Sequence, residues 1–102
     1  MIPYELTSDA EAELREIARY TRRQWGDAQS RRDAQILATC FQKIAAGEVV
    51  PRRPSTQFPD LLVTRCERHV IFYLHPEGEK PRIVAVLHER MDMIARRRHR
   101  LA

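Results

Sequence analysis

His69-Val70-Ile71-Phe72-Tyr73-Leu74-His75 and Arg82-Ile83-Val84-Ala85-Val86-Leu87-His88, separated by the turn Pro76-Glu77-Gly78-Glu79-Lys80 and Pro81, form the stretch on which the fold turns. Both flanking segments are rich in β-branched and aromatic side chains. The run between them is built of turn residues, so the sequence predicts a pair of adjacent antiparallel strands. Leu61–Cys66 precedes them across a shorter connection, Glu67-Arg68, which extends the pair to a three-strand meander. Upstream, residues 48–60 carry Pro51, Pro54 and Pro59 and read as a loop. Two helical patterns lie before that loop. The stripe Ala10, Leu14, Ile17, Ala18, Thr21 and Trp25 has helical spacing, with Thr7, Ser8 and Asp9 as N-cap candidates and Ser8 with Glu11 as a capping box. Asp9, Glu11, Glu13 and Glu16 fall early and Arg19, Arg22 and Arg23 late, as the helix dipole favours. Gly26 ends this helix and Asp27 is expected to cap the next. Ala34, Leu37, Ala38, Phe41, Ile44 and Ala45 line the second helix, and Gly47 closes it. So short a link makes an αα-hairpin. Each helix has one apolar face, and a two-helix unit cannot bury both alone, so the sheet must cover them. Ile2–Leu6 alternates as a short strand with Pro3 at an edge. Asp92 is placed to cap a last short helix or turn over Met93–Arg98. The expected class is α+β, in the order β-α-α-β-β-β, with the hairpin packed on a mainly antiparallel small sheet.

The chain has 102 residues, 43% apolar and 31% charged, the composition of one small folded domain. With three glycines and no GxGxxG or GxxxxGK[ST], a dinucleotide or P-loop fold is excluded. The longest apolar runs, Val70–Leu74 and Ile83–Leu87, are far too short for a transmembrane helix, and no signal peptide is visible, so none is expected. A cytoplasmic protein without membrane contact is expected. On that basis Cys40 and Cys66 are expected as reduced, buried thiols. Neither the cysteines nor the scattered His69, His75, His88 and His99 have metal-ligand spacing, so neither metal nor cofactor is expected.

Charge is distributed unevenly. The 18 basic and 14 acidic residues leave +4. Arg90, Arg96, Arg97, Arg98 and Arg100 against Asp92 account for all of it, so residues 1–89 balance to zero. A basic end of this kind seeks an acidic protein surface or nucleic acid. All but two of the cations, Lys43 and Lys80, are arginine, which favours bidentate pairing with carboxylate or phosphate, although arginine-biased composition gives the same skew.

Tyr4-Glu5-Leu6-Thr7, Gln24-Trp25-Gly26, Arg68-His69-Val70-Ile71-Phe72-Tyr73 and Val86-Leu87-His88-Glu89-Arg90-Met91-Asp92 occur in an order and spacing that resemble the RelE/ParE superfamily of bacterial type II toxins, the ParE branch in particular. The resemblance covers nearly the whole chain. It implies a single toxin domain over residues 1–102 with a basic segment at 90–102, a ParD-like protein antitoxin forming a hetero-oligomer with it, and inhibition of DNA gyrase by binding, with DNA contacted through the gyrase complex. Ser8 stands where many relatives carry Pro, Glu67 where many carry Gly, and the Arg96–Arg98 run extends past where many stop.

Candidate target-binding residues are Trp25, His88, Arg90, Arg96, Arg97, Arg98 and Arg100. Candidate antitoxin-binding residues are Arg22, Arg23, Arg65 and Arg82. Each has a plainer role. Trp25 closes the apolar stripe and is expected to pack as core. His69 suits a structural strand start, His88 and Arg90 a hydrogen-bonded strand end, and the arginine run a solvated terminus. Two other functions compete with a gyrase-binding toxin. One is a ribosome-dependent mRNA endoribonuclease of RelE type using Arg65, His69, His88, Glu89 and Arg90; the other is a non-toxic nucleic-acid-binding adaptor. Ribonuclease chemistry needs an activated 2′-hydroxyl, a proton for the leaving oxygen and cations on the phosphate. Alternation along a strand sets His88 and Glu89 on opposite faces, no tyrosine follows Tyr73, and no lysine cluster occurs. No catalytic residue is therefore assigned, and a non-enzymatic toxin is expected.

Overall fold

The computed structural model describes residues 2–89. Within them run β1 (Glu5–Leu6), α1 (Ser8–Trp25), α2 (Asp27–Ala45), β2 (Leu62–Cys66), β3 (His69–Leu74) and β4 (Arg82–His88). The sheet order is β1-β4-β3-β2. β2, β3 and β4 form the antiparallel meander and β1 joins β4 in parallel. The α+β class and element order agree with the sequence. The segment 93–98 and its cap Asp92 lie outside the described residues.

Local chemistry explains each boundary. Thr7, extended at φ −71°, caps α1, its hydroxyl accepting from the Ala10 amide at 3.1 Å. The cap is thus Thr7 rather than Ser8. The box with Glu11 is not made, because the frame starts one residue earlier. Gly26 ends α1, its amide donating to the Arg22 carbonyl, and also stands as N-cap of α2 with φ 92° and ψ 173°. That region is open essentially to glycine alone. Asp27 is the first residue of α2, not its cap, and its carboxylate pairs with Arg22 at 3.2 Å. β1 keeps only two of the five expected residues, because the chain must turn at Thr7 into the helix. The loop 48–60 is not wholly free of sheet structure: Arg52 forms an antiparallel bridge with Val63.

The core lies between hairpin and sheet. α1 buries Ala10, Ile17 and Thr21, and α2 buries Leu37, Phe41 and Ile44. Ala34, placed in the stripe by spacing, is exposed. β3 alternates strictly, burying His69, Ile71 and Tyr73 under the helices. β4 does not alternate. Phe72 faces Ala85 and Tyr73 faces Ile83, so Val84 is an extra residue, a bulge. Regular alternation would send Ile83 and Leu87 to one face and His88 to the other. The bulge instead buries Ile83, Val86 and His88 together.

The cysteines depart from expectation. Cys40 on α2 and Cys66 at the end of β2 form a disulfide, with Cα atoms 6.4 Å apart across 26 residues of sequence. Their distance in sequence concealed the contact, because α2 returns over the last residue of β2. The expectation of reduced thiols follows from compartment alone, and the packing of α2 on β2 corrects it to a disulfide.

Candidate functional site

A cleft of about 530 Å³ opens where the tip of the hairpin meets one end of the sheet. Gly26 sets the last turn of α1 beside the first turns of α2, which brings Trp25 next to Gln29, Arg32, Asp33 and Ile36. The spacing of these four α2 residues puts them on one helix face. The two-residue connection Glu67-Arg68 forms the opposite wall. The floor is a cross-strand pair: His69 at the start of β3 lies opposite His88 at the end of β4.

The rings form a continuous chain. Tyr20 meets Trp25 edge-on at 5.8 Å and His88 at 5.6 Å, Trp25 lies 6.5 Å from His88, and His88 meets His69 edge-on at 5.0 Å. Trp25 is 42% exposed, so it lines the lip of the cleft rather than packing as core. His69 and His88 are each only 3% exposed. Neither ring nitrogen of His69 makes a hydrogen bond of good geometry. Its pKa lies below the ordinary 6.5, first because burial disfavours the imidazolium and second because His88 adjoins it. Asp33, the Cys66 backbone and Glu67 pull weakly the other way. His69 is therefore a neutral imidazole at pH 7. Above it, Arg32 and Arg68 supply positive charge and Asp33 and Glu67 negative charge, with Gln29 donating to Asp33 at 2.9 Å.

The structure brings Trp25 and His88 together in this cleft. Arg90, Arg96, Arg97, Arg98 and Arg100 lie outside the described residues. Arg22, Arg23, Arg65 and Arg82 are exposed and scattered. Arg22 sits at the hairpin tip beside Asp27; Arg82, at the opposite end of β4 from His88, pairs with Glu5 at 3.5 Å. Arg65 pairs with Glu89 at 2.9 Å and donates to the Glu67 carbonyl. His88 is buried while Glu89 is exposed, as strand alternation requires, and the Glu89 carboxylate is engaged by Arg65. Among the described residues no cluster of three or more His, Cys, Asp or Glu is arranged to hold a metal ion, and no helix is long and apolar enough to cross a membrane.

Sequence reasoning missed Gln29, Arg32, Asp33 and Arg68 as cleft residues. Gln29, Arg32 and Asp33 on α2 read in the sequence only as polar helix positions, which ordinarily means solvent. A second concavity, about 200 Å³, runs between α1 and α2 and is lined mostly by apolar side chains, among them Leu14, Ala18, Ala38 and Phe41, with the Tyr4 ring tilted against Phe41 at 5.3 Å.

Three comparisons bear on this arrangement. The family model described as "ParE toxin of type II toxin-antitoxin system, parDE" matches residues 4–93. "Toxin ParE" of Escherichia coli is 48% identical over 101 residues, spanning 99% of this chain and 98% of that relative. A solved structure described as "Chromosomal ParDE TA system from P. aeruginosa" aligns with a TM-score of 0.67 at 17% identity, covering 86% of this chain and 98% of that one, a likeness of fold. With both the family model and a near-half-identical relative spanning almost every residue, the chain belongs to the ParE toxin family of type II toxin–antitoxin systems.

Proposed function

We propose that this toxin acts by binding DNA gyrase rather than by catalysis, and that a ParD-like antitoxin neutralises it in a hetero-oligomer. The observation that carries the reading is membership of the ParE family over residues 4–93. Charge and geometry support it. The whole net charge of +4 belongs to residues 90–102, which we read as the basic segment of a single toxin domain that grips an acidic protein surface or the DNA held by gyrase. Trp25 at the hairpin tip, with Arg32 and Arg68 nearby, is the kind of partly exposed aromatic that anchors a protein partner. In the RelE-type alternative Glu89 would take part in the chemistry, and its exposed carboxylate is held by Arg65. The antitoxin reading rests on the apolar groove between α1 and α2, which suits an amphipathic helix that folds on binding. Arg22, Arg23, Arg65 and Arg82 are exposed to its acids, and Arg22, Arg65 and Arg82 would exchange Asp27, Glu89 and Glu5 for them. The cytoplasm, where gyrase works, is the compartment this function requires.

Inducible expression in bacteria is the test. Growth arrest with a DNA-damage response and linearised plasmid is expected, relieved by co-expression of the antitoxin. Prompt loss of messenger RNA without DNA damage selects the ribonuclease instead, and normal growth selects the adaptor.

A further inference from the structure

The two ends of the Cys40–Cys66 disulfide stand in different surroundings. Cys66 closes β2 and is 3% exposed. Cys40 is half-buried and lines an open groove of about 340 Å³ on the outer side of α2, together with Arg32, Ile36, Lys43 and Glu67. Arg32 and Lys43 outnumber the one anion Glu67 in this lining, and the excess positive charge favours the approach of an anionic thiol. Access helps decide which sulfur of a disulfide is attacked, and Cys40 is the more exposed of the two residues and the one that lines a groove. Arg32, Ile36 and Glu67 line this groove and the His69 cleft alike, and Cys66 Sγ lies 3.8 Å from the carbonyl oxygen of Ile36 in that shared wall.

We propose that Cys40–Cys66 is a thiol-reducible clasp, opened at Cys40 by a small anionic thiol of the glutathione class, and that opening it loosens α2 from the 67–68 turn and so deforms the Trp25–His69 cleft. The thiolate forms a new bond to Cys40 Sγ. The Cys40–Cys66 bond breaks, its electron pair passes to Cys66 Sγ, and Cys66 takes a proton. A second thiol attacks the attached sulfur and leaves with it as the small-molecule disulfide, and Cys40 is protonated. The protein gains two electrons and two protons, and two thiols are oxidised to one disulfide. The inference concerns only this wall of the fold and stands whatever the toxin's target.

The test uses the full chain. Folded protein is exposed to reduced glutathione, quenched with acid and mapped by mass spectrometry. The adduct is expected at Cys40, at least about tenfold over Cys66, as access dictates. Complete reduction is expected to lower Tm by about 10 °C or more, the scale for a loop of this length in a chain of this size. It should also shift the emission of Trp25, the only tryptophan. The C40S/C66S variant should melt at the reduced value and ignore reductant. If it does not fold, the reduced natural chain supplies the same comparison. Two free thiols in unreduced protein, equal labelling of both sulfurs, or unchanged Tm and emission on reduction each overturn the proposal.

Discussion

His69 occupies a position that its chemistry makes sensitive to acid. Its folded pKa is depressed below 6.5, by burial first and by His88 second. The unfolded chain therefore binds the proton first as pH falls. The stabilisation is complete above about pH 6.5 and is lost as pH drops through the folded value, with a slope of up to about 1.4 kcal/mol per pH unit. Urea midpoints measured between pH 7.5 and 5.5 should fall with pH, and His69→Gln should flatten the profile. Glu67 poses the opposite case, a cost already present at neutral pH. It is the one non-glycine among the described residues with positive φ, at 54°. A side chain there costs about 1–2 kcal/mol, and glycine would return roughly 0.5–1 of that through the entropy of the unfolded chain. Glu67→Gly is thus expected to stabilise the fold by about 0.5–1 kcal/mol in denaturant titrations. The bond from Arg65 Nε to the residue 67 carbonyl is retained, since it uses only backbone on that side.

Among the elements, β4 depends on α1 for more than packing. β1 pairs with it only through Glu5–Arg82 and Leu6–Ile83 and then ends. Past that point no strand among the described residues lies beside the outer edge of β4, and unpaired edge groups are costly when buried. Helix α1 takes over. The Thr7 amide donates to the Ile83 carbonyl at 3.1 Å, and Glu13 Oε1 accepts from the Val86 amide at 3.0 Å. Glu13 looked like one more early acid matched to the helix dipole, and it has become a substitute for a missing strand. A charged acceptor on a part-buried amide is worth about 1.5–3 kcal/mol. Glu13→Ala should therefore cost about 2 kcal/mol, read as a lower urea midpoint, and Glu13→Gln should recover part of it by keeping an acceptor. Weakened hydrogen-exchange protection confined to β4 would accompany the loss.

At the scale of the molecule, the uneven charge is the property with the widest reach. Residues 1–89 are neutral overall and residues 90–102 carry +4. If the segment meets DNA backbone in the gyrase complex, log affinity should fall against log salt with a slope of about −0.9 for each phosphate neutralised. A chain ending at Ala95 loses Arg96, Arg97, Arg98 and Arg100. It should keep its melting transition, bind gyrase–DNA complexes with a shallower salt slope, and arrest growth less. A folded truncation with full toxicity would remove the segment from the mechanism. The apolar groove between the helices belongs to the rest of the chain, so antitoxin binding should survive the truncation.

Local chemistry determined which segments of this protein are helix and which are strand. The stripes at 3.6-residue spacing, the Gly26 break, the β-branched runs and the turn at Pro76–Lys80 act within a few residues, and they were legible because such preferences are encoded where they act. β-α-α-β-β-β and the family resemblance followed from them. The cleft did not. His88 faces inward because a bulge at Val84 reverses the alternation of β4, and valine is an ordinary strand residue that gives no sign of it. Trp25 reads as core from its spacing and lies on a lip because the hairpin ends there. Cys40 and Cys66 meet only after α2 has packed against β2, across 26 residues of chain. Contacts between elements depend on register and on how layers are stacked, and a one-residue slip sends a side chain to the other face.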